Sequence, residues 1–324
     1  MAANTDRRRI NAPSGGTSAP IFAKTVKDPQ YQQSLRPTRT RGPDELRKIF
    51  LQTGIIPSAS GSAYLEIPGQ PRSSSTLIPS SSSLKITASI QGPKPLPRSA
   101  PFSPSLLLTT TVKFAPFATR NRRGYIRDSV ERDLGVHLES ALRGVIIGER
   151  WPKSGVEIVI TILEGDEDGW WGDSAGEGSG WGLLNVLSGC ITVSSAAITD
   201  AGIDCVDMVS GGVAALVREP SQTGKEGALV KVLDPCPSEH QDIIAACAVG
   251  YLAGRDEITE LWVRGNVQED SDQLIEGATH AAFGGLTVMK EVLLESLEAK
   301  FKGFTEKSTD AKGGDSGGDI EMSG

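Results

Sequence analysis

Arg120, Arg122, Arg123 and Arg127 fall in one short stretch, and guanidinium groups so spaced can hold the phosphates of a nucleic-acid backbone. The same cluster can equally be a solvated loop or an ion-pairing surface for a neighbouring subunit. Further on, the tract EGDEDGWWGDSAGEGSGWG places Glu164, Asp166, Glu167, Asp168, Asp173 and Glu177 together without a base. Acids at that density repel a phosphate, since like charges a few ångströms apart cost about 1 to 4 kcal/mol depending on solvation. Trp170, Trp171 and Trp181 could stack on bases, but the flanking acids favour anchoring on a partner protein. Asp242 lies near His240, yet with no nucleophile or third partner in view, Asp242 reads better as a turn or capping residue than as a catalytic acid. Thr223-Gly224-Lys225 lacks the upstream glycine and spacing of a phosphate-binding loop. His137 reads as a structural residue within a helix.

The elements that must position these residues follow from hydrophobic period and turn chemistry. Residues 1–40 are basic and rich in Pro and Ser, with no apolar period, and read as a disordered arm. LRKIFLQTG, GSAYLEI, SLKITASIQG and LLLTTTVKFA read as four strands of a small antiparallel sheet. Loop insertions are expected at 68–83, 93–105 and 165–182. Asp128 or Ser129 can cap a helix whose apolar stripe runs from Val130 to Ile146, ended by Trp151-Pro152. VEIVITIL is apolar on both faces, which predicts a central strand covered on both sides. A helix rich in small residues spans Leu183 to Ala201, and its Gly, Ala and Ser allow close packing on a sheet. Strands within VDMVSGGVAALV, GALVKVLD, DIIAACAVGYLA and EITELWVRG follow. A last helix runs from Asp270 to about Lys302, with Gly284-Gly285 as a candidate bend. Residues 41–303 form one domain, and 304–324 read as a disordered tail. The order ββββ-α-β-α-ββββ-α predicts an α+β (α/β layered) fold with helices packed on mixed sheets.

Composition bounds the function. A 324-residue chain can bury a substantial core. Its net charge of -7 excludes a general polyanion binder, although residues 1–50 are locally basic. Cys190, Cys205, Cys236 and Cys247 lack CxxC spacing, so buried thiols in a reducing compartment are expected rather than disulfides or a structural metal. Neither a membrane span nor a secretory signal is expected.

Several segments, in this order, resemble the ribonuclease PH family: GSAYLEI with SLKITASIQGP, FAPFATRNRR, ESALRGVIIGERWPKSGVEIVITILEGD, SSAAITDAGI, and VLDP followed by DIIAACAVG. They cover roughly residues 41–300. The resemblance implies the ribonuclease PH-like fold (ribosomal protein S5 domain 2-like) and assembly into six-membered rings. Active members cleave RNA from the 3′ end by phosphorolysis. Such an enzyme holds phosphate in a Gly-Gly-Ser/Thr-Arg loop at a helix N-terminus, with aspartates as metal support or general acid and paired arginines on the RNA.

Position by position, this chain departs from that pattern. The phosphate loop falls near Leu184-Asn185-Val186-Leu187, and no arginine lies between Pro152 and Arg218. The family's paired arginines before the long helix fall near Ser129 and Val130. Asp242 matches one family aspartate, a relic at most, while its companion lands on Cys236. With Pro37-Thr38-Arg39-Thr40-Arg41, Gly61–Glu66 and Phe114–Ala118, the chain resembles one type of ring subunit of the eukaryotic RNA exosome. That implies a non-catalytic scaffold without catalytic residues, metal or cofactor. Its implied partners are other ribonuclease PH-like subunits, cap proteins and single-stranded RNA, the last touched by Arg120, Arg122, Arg123 and Arg127. The implied location is the nucleus, including the nucleolus, and the cytoplasm. An active phosphate-dependent exoribonuclease and an RNA-free assembly protein are the alternatives.

Overall fold

A computed structural model of the chain describes residues 37–69, 83–119, 122–166, 180–218, 228–240, 242–267 and 270–313, with side chains in the last helix as far as Phe301. Four strands open the chain: β1 (Phe50–Thr53), β2 (Gly61–Ile67), β3 (Leu84–Pro95) and β4 (Leu107–Phe114). Helix α1 (Ser129–Arg143), a 3₁₀ turn (Gly148–Arg150), β5 (Ser154–Glu164) and helix α2 (Gly182–Asp200) follow. The chain ends with β6 (Val209–Arg218), β7 (Leu229–Leu233), β8 (Ile243–Leu252), β9 (Glu257–Gly265) and helix α3 (Ser271–Gly313). The strand and helix order is the one expected from the pattern.

The strands form two sheets, β1-β2-β3-β5-β4 and β7-β6-β8-β9. The first sheet is mixed rather than purely antiparallel, because β4 runs parallel to β5. The long crossover through α1 permits this, whereas a tight hairpin could not. β5 lies inside the sheet but is covered on one face only: Val156, Ile158, Ile160 and Ile162 are buried while their neighbours are partly exposed. The unbroken apolar run had suggested two covered faces, but β-branched residues also suit the half-exposed side of a strand. β3 extends to Pro95, and α3 runs on to Gly313, past the expected domain end at 303. The N-terminal arm before Pro37, most of the 68–83 and 165–182 segments, and residues 314–324 lie outside the described residues.

Helix α2 lies between the two sheets and is buried on nearly every side, from Leu184 to Ile198. It is long and apolar enough to cross a membrane by composition, with mean hydropathy 1.5, yet 83% of that stretch is buried inside the protein. A helix apolar all round belongs in a core when other elements surround it. Its small residues set the spacing, as expected: a Cβ on Gly189 would stand 2.8 Å from Ile86 Cδ1 and 3.0 Å from Leu84 Cδ2. On the far side of the second sheet, α3 packs against β6, β7 and β8. Gly284 and Gly285 serve this packing, since a Cβ on either would come within 3 Å of Leu46 or Ser210.

Helix α1 begins with a capping box: Ser129 N donates to Asp128 Oδ1 at 2.7 Å, and Asp128 N donates to Glu131 Oε2 at 3.0 Å. The other Glu131 oxygen accepts from Phe114 N at 2.8 Å, which ties the helix start to the end of β4. His137 fastens the middle of α1 to β9. Its Nδ1 lies 2.8 Å from Glu260 Oε1 and its ring stacks on Trp262 at 4.6 Å. Replacing His137 with alanine is expected to lower stability by about 1–2 kcal/mol, through loss of one hydrogen bond and one ring stack. Urea unfolding of the two proteins reads this directly.

Candidate functional site

β5 delivers Asp166 to the N-terminal end of α2, where the turn after β7 and the segment 39–47 also converge. Asp166 is buried and accepts from Asn185 Nδ2 at 2.7 Å. The same Asn185 nitrogen donates to Pro235 O at 2.7 Å. Leu184, Val186 and Leu187, the other positions of the expected phosphate loop, are buried apolar side chains in the first turns of α2. A helix N-terminus can attract an anion. Here its opening turns point hydrophobic groups and one amide into protein.

The positive charge at this place comes from elsewhere in the chain. Arg47, only 6% exposed, grips Asp234 through two parallel contacts, Nε to Oδ2 at 2.8 Å and an η nitrogen to Oδ1 at 2.7 Å. That η nitrogen also lies 3.5 Å from Asp166 Oδ2, so one guanidinium joins two buried carboxylates. The Arg47 backbone N–H adds a third bond to Asp234 at 2.9 Å. Arg41 pairs with Asp234 at 3.1 Å and with Glu239 at 3.0 Å. Arg39 donates to five backbone carbonyls, including Leu233 at 3.0 Å and Gly42 at 2.8 Å. The two arginines of the Pro37–Arg41 stretch are therefore fasteners of the chain to its own β7 turn. Asp234 itself has φ +48°, a left-handed conformation that aspartate tolerates better than most residues.

Electrostatics follow from this packing. Burial alone would raise the Asp234 carboxyl, but the charge and hydrogen bonds of Arg47, then the charge of Arg41, hold it well below the usual carboxylate range. Burial works against the Arg47 charge too, yet Asp234 and Asp166 hold its pKa well above the ordinary arginine value. Cys236, where the resemblance implied the position of a companion aspartate, is buried with its thiol 3.8 Å from Asp166 Oδ1 and 3.1 Å from Ser238 Oγ. Burial, then the Asp166 charge, pushes that thiol up to about 12, so it stays protonated and unreactive at neutral pH. Cys190, Cys205 and Cys247 are likewise free thiols. The cluster is a set of internal ion pairs in which Arg47 Nη1, Asn185 Oδ1 and Glu239 Oε1 stay buried without a hydrogen-bond partner. It leaves a cavity of only about 40 Å³ beside Arg47, Asn185 and Asp234, far below the few hundred cubic ångströms of an ordinary ligand pocket.

The other expected site residues lie apart from this cluster in character. Asp242 precedes β8 with a side chain 54% exposed, 3.7 Å from Arg218. It meets solvent and an arginine rather than the buried thiol of Cys236. His240 lies before it in the same turn. Of the arginine cluster, Arg122 is exposed. Arg123 folds back over the Phe114 ring at 4.3 Å and pairs with Asp128 at 3.5 Å. Arg127 turns towards the carbonyl of Thr110 at 3.4 Å. Arg120, Trp170, Trp171, Glu167, Asp168, Asp173, Glu177 and Thr223-Gly224-Lys225 lie outside the described residues. Trp181 is partly buried against the main core, at the entry to α2, so that ring is used in packing rather than held out for a base or a partner. Sequence reasoning missed Arg47 and Asp234 as a pair. The available signal was slight: Arg47 sits in Leu46-Arg47-Lys48-Ile49, and Asp234 follows Val230-Lys231-Val232-Leu233.

Residues 45–204 match the model of the 3′ exoribonuclease family, domain 1. Over 297 residues the chain is 49% identical to the exosome complex component MTR3 of Chaetomium thermophilum, covering 90% of this chain and 99% of that protein. The chain belongs to the ribonuclease PH family. The human exosome complex component MTR3 is 26% identical over 280 residues, covering 79% of this chain and 86% of the human one. The crystal structure of rice Rrp46 superposes with a TM-score of 0.58 at 18% identity, covering 79% of this chain and 98% of that one, and so shares the fold. At the entry to α2 the guanidinium of Arg264 lies against Gly180. The other guanidinium nearby, Arg47, is already committed to Asp234 and Asp166.

Proposed function

We propose that this chain is a non-catalytic ring subunit of an RNA exosome, serving 3′-to-5′ RNA processing and degradation as a scaffold. It pairs with other ribonuclease PH-like subunits in a six-membered ring, contacts cap proteins, and lines a path for single-stranded RNA towards a nuclease on another chain. Its place of work is the nucleus, including the nucleolus, and the cytoplasm. It uses no cofactor. The observation that carries this reading is the buried ion network at the N-terminal end of α2, where Asp166 bonds Asn185 and Arg47, and Arg47 bonds Asp234. Phosphorolysis needs a dianion held beside the scissile bond, and a guanidinium already paired with two carboxylates has little to offer it. The strong similarity to exosome components of the MTR3 type supports the ring role. RNA contact in this reading falls to Arg120 and Arg122, with Arg123 and Arg127 shaping the loop that carries them.

The test is co-expression with ring partners, followed by native mass measurement and an assay with inorganic phosphate and single-stranded RNA. A hetero-hexameric ring is expected. When this chain is the only ribonuclease PH-like subunit in the sample, no nucleoside diphosphate should appear above background. Phosphate-dependent release of nucleoside diphosphates that disappears on Asp242→Ala would favour the phosphorolytic enzyme instead.

A further inference from the structure

The loop between β4 and α1 carries aromatic rings as well as arginines. Phe117 is 75% exposed and Tyr125 89%, the two highest exposures among the large apolar side chains described. The backbone that presents them is well bonded. Ala115 N donates to Ile162 O at 2.8 Å, Gly165 N to Ala118 O at 2.9 Å, and Arg123 N to Pro116 O at 3.2 Å. The last bond closes the loop and brings the residues beside Phe117 next to Arg122 and Arg123. Lys113 reaches across to the Tyr125 carbonyl at 2.5 Å, with its ammonium 5.6 Å from the Tyr125 ring centre. From Lys113 to Asp128 the chain holds five Lys/Arg and one acid, in a molecule whose net charge is -7.

Two exposed rings set among cations, on a loop fixed by backbone bonds, match what a flexible polyanion with flat bases requires. The cations meet phosphates and the rings meet base faces, without dependence on base identity. A protein-docking patch would instead gather its rings into one apolar area with few cations at its centre. We infer that Phe117 and Tyr125 are base-stacking residues for single-stranded RNA, whose phosphates are held by Arg122 and Lys113. The inference rests on the ring reading for its route of RNA past this loop, and adds to the arginine cluster a stacking function that charge alone does not supply.

The test uses the assembled ring containing this chain and a uridine homopolymer labelled with 4-thiouridine. Each of Phe117→Ala and Tyr125→Ala should weaken RNA binding about fivefold or more, the usual effect of deleting one stacked ring. Phe117→Trp and Tyr125→Phe should retain binding, because a flat ring is kept. Crosslinks to the 115–127 loop should vanish in the double alanine variant, while native mass shows the ring intact. Unchanged affinity and crosslinks in that variant would overturn the inference and leave the scaffold role standing. Loss of a ring or cap protein, with RNA affinity unchanged per assembled ring, would also overturn it, marking the loop as a protein contact. Failure of the wild-type chain to enter a hetero-ring would sink the scaffold reading instead, while the free chain still reports whether the two rings matter for RNA.

Discussion

Replacing Arg47 with methionine is expected to cost about 3–5 kcal/mol of folding stability, the usual penalty for leaving a buried charge without its partner. Methionine keeps the bulk of the side chain and removes the guanidinium that joins Asp234 to Asp166. Both carboxylates would then sit beside each other with less compensation, while Arg41 and the backbone N–H of residue 47 would still reach Asp234. Arg47→Lys should rescue little, because an ammonium cannot make the paired Nε and Nη contacts to Asp234. Urea unfolding at neutral pH measures the loss, and Asp242→Ala, at a mostly exposed position, provides the near-neutral control. The same network sets a pH dependence. The folded Asp234 carboxyl is depressed below its unfolded value, so its contribution is fully present above the ordinary aspartate range near pH 4 and is lost as pH falls through the lower folded value. Arg47→Met should therefore flatten the acid limb of the stability curve. An acid limb unchanged in the variant would mean the pair is not what holds the cluster together.

Substituting Gly212 with alanine is expected to be about as damaging. β6 is squeezed between two helices at consecutive residues, because neighbours in a strand face opposite ways. A Cβ on Gly211 would stand 2.3 Å from the Ser188 carbonyl oxygen of α2. One on Gly212 would stand 2.1 Å from the Ala278 carbonyl oxygen and 2.3 Å from the Ala282 nitrogen of α3. These are backbone atoms and cannot swing aside as a side chain can, so α3 must lift from the sheet as a unit. The expected loss is about 3 kcal/mol, the upper part of the range for overpacked interiors. It should appear as a lower unfolding midpoint and earlier proteolytic release of the C-terminal helix. Gly144→Ala is the control: that residue caps α1 in an ordinary helical conformation, and its nearest foreign atom would lie 3.9 Å from the new methyl. A Gly212→Ala protein that unfolds like the parent would show that α3 is not seated as closely as described.

Elements were legible wherever a local rule decides them. The cap at Asp128, the strand pattern of β3, and the small, apolar residues of α2 each depend on residues a few positions apart. The double-sided covering expected for β5 failed because β-branched residues suit both a buried and a half-exposed strand face. The candidate site was legible mostly as a departure from the pattern that the resemblance implies. The missing arginine between Pro152 and Arg218 and the apolar residues at Leu184, Val186 and Leu187 are plain in the order of letters. What filled the place was not. Arg47 and Asp234 are 187 residues apart, and no period or spacing rule links two such charges. Likewise the arginines looked equivalent in a row, yet Arg123 and Arg127 turn inward while Arg122 is exposed.

By itself, then, the sequence determined the order of elements, the family resemblance and the absence of arginine between Pro152 and Arg218, because each is written in short-range pattern or in residue identity at a motif. Only the tertiary structure decided that a buried Arg47 bonds the N-terminal segment to the turn after β7 and to Asp166, which ring stays exposed, and how close the helices come to β6. Those outcomes depend on contacts between distant segments, whose geometry exists only after the two sheets have closed around α2.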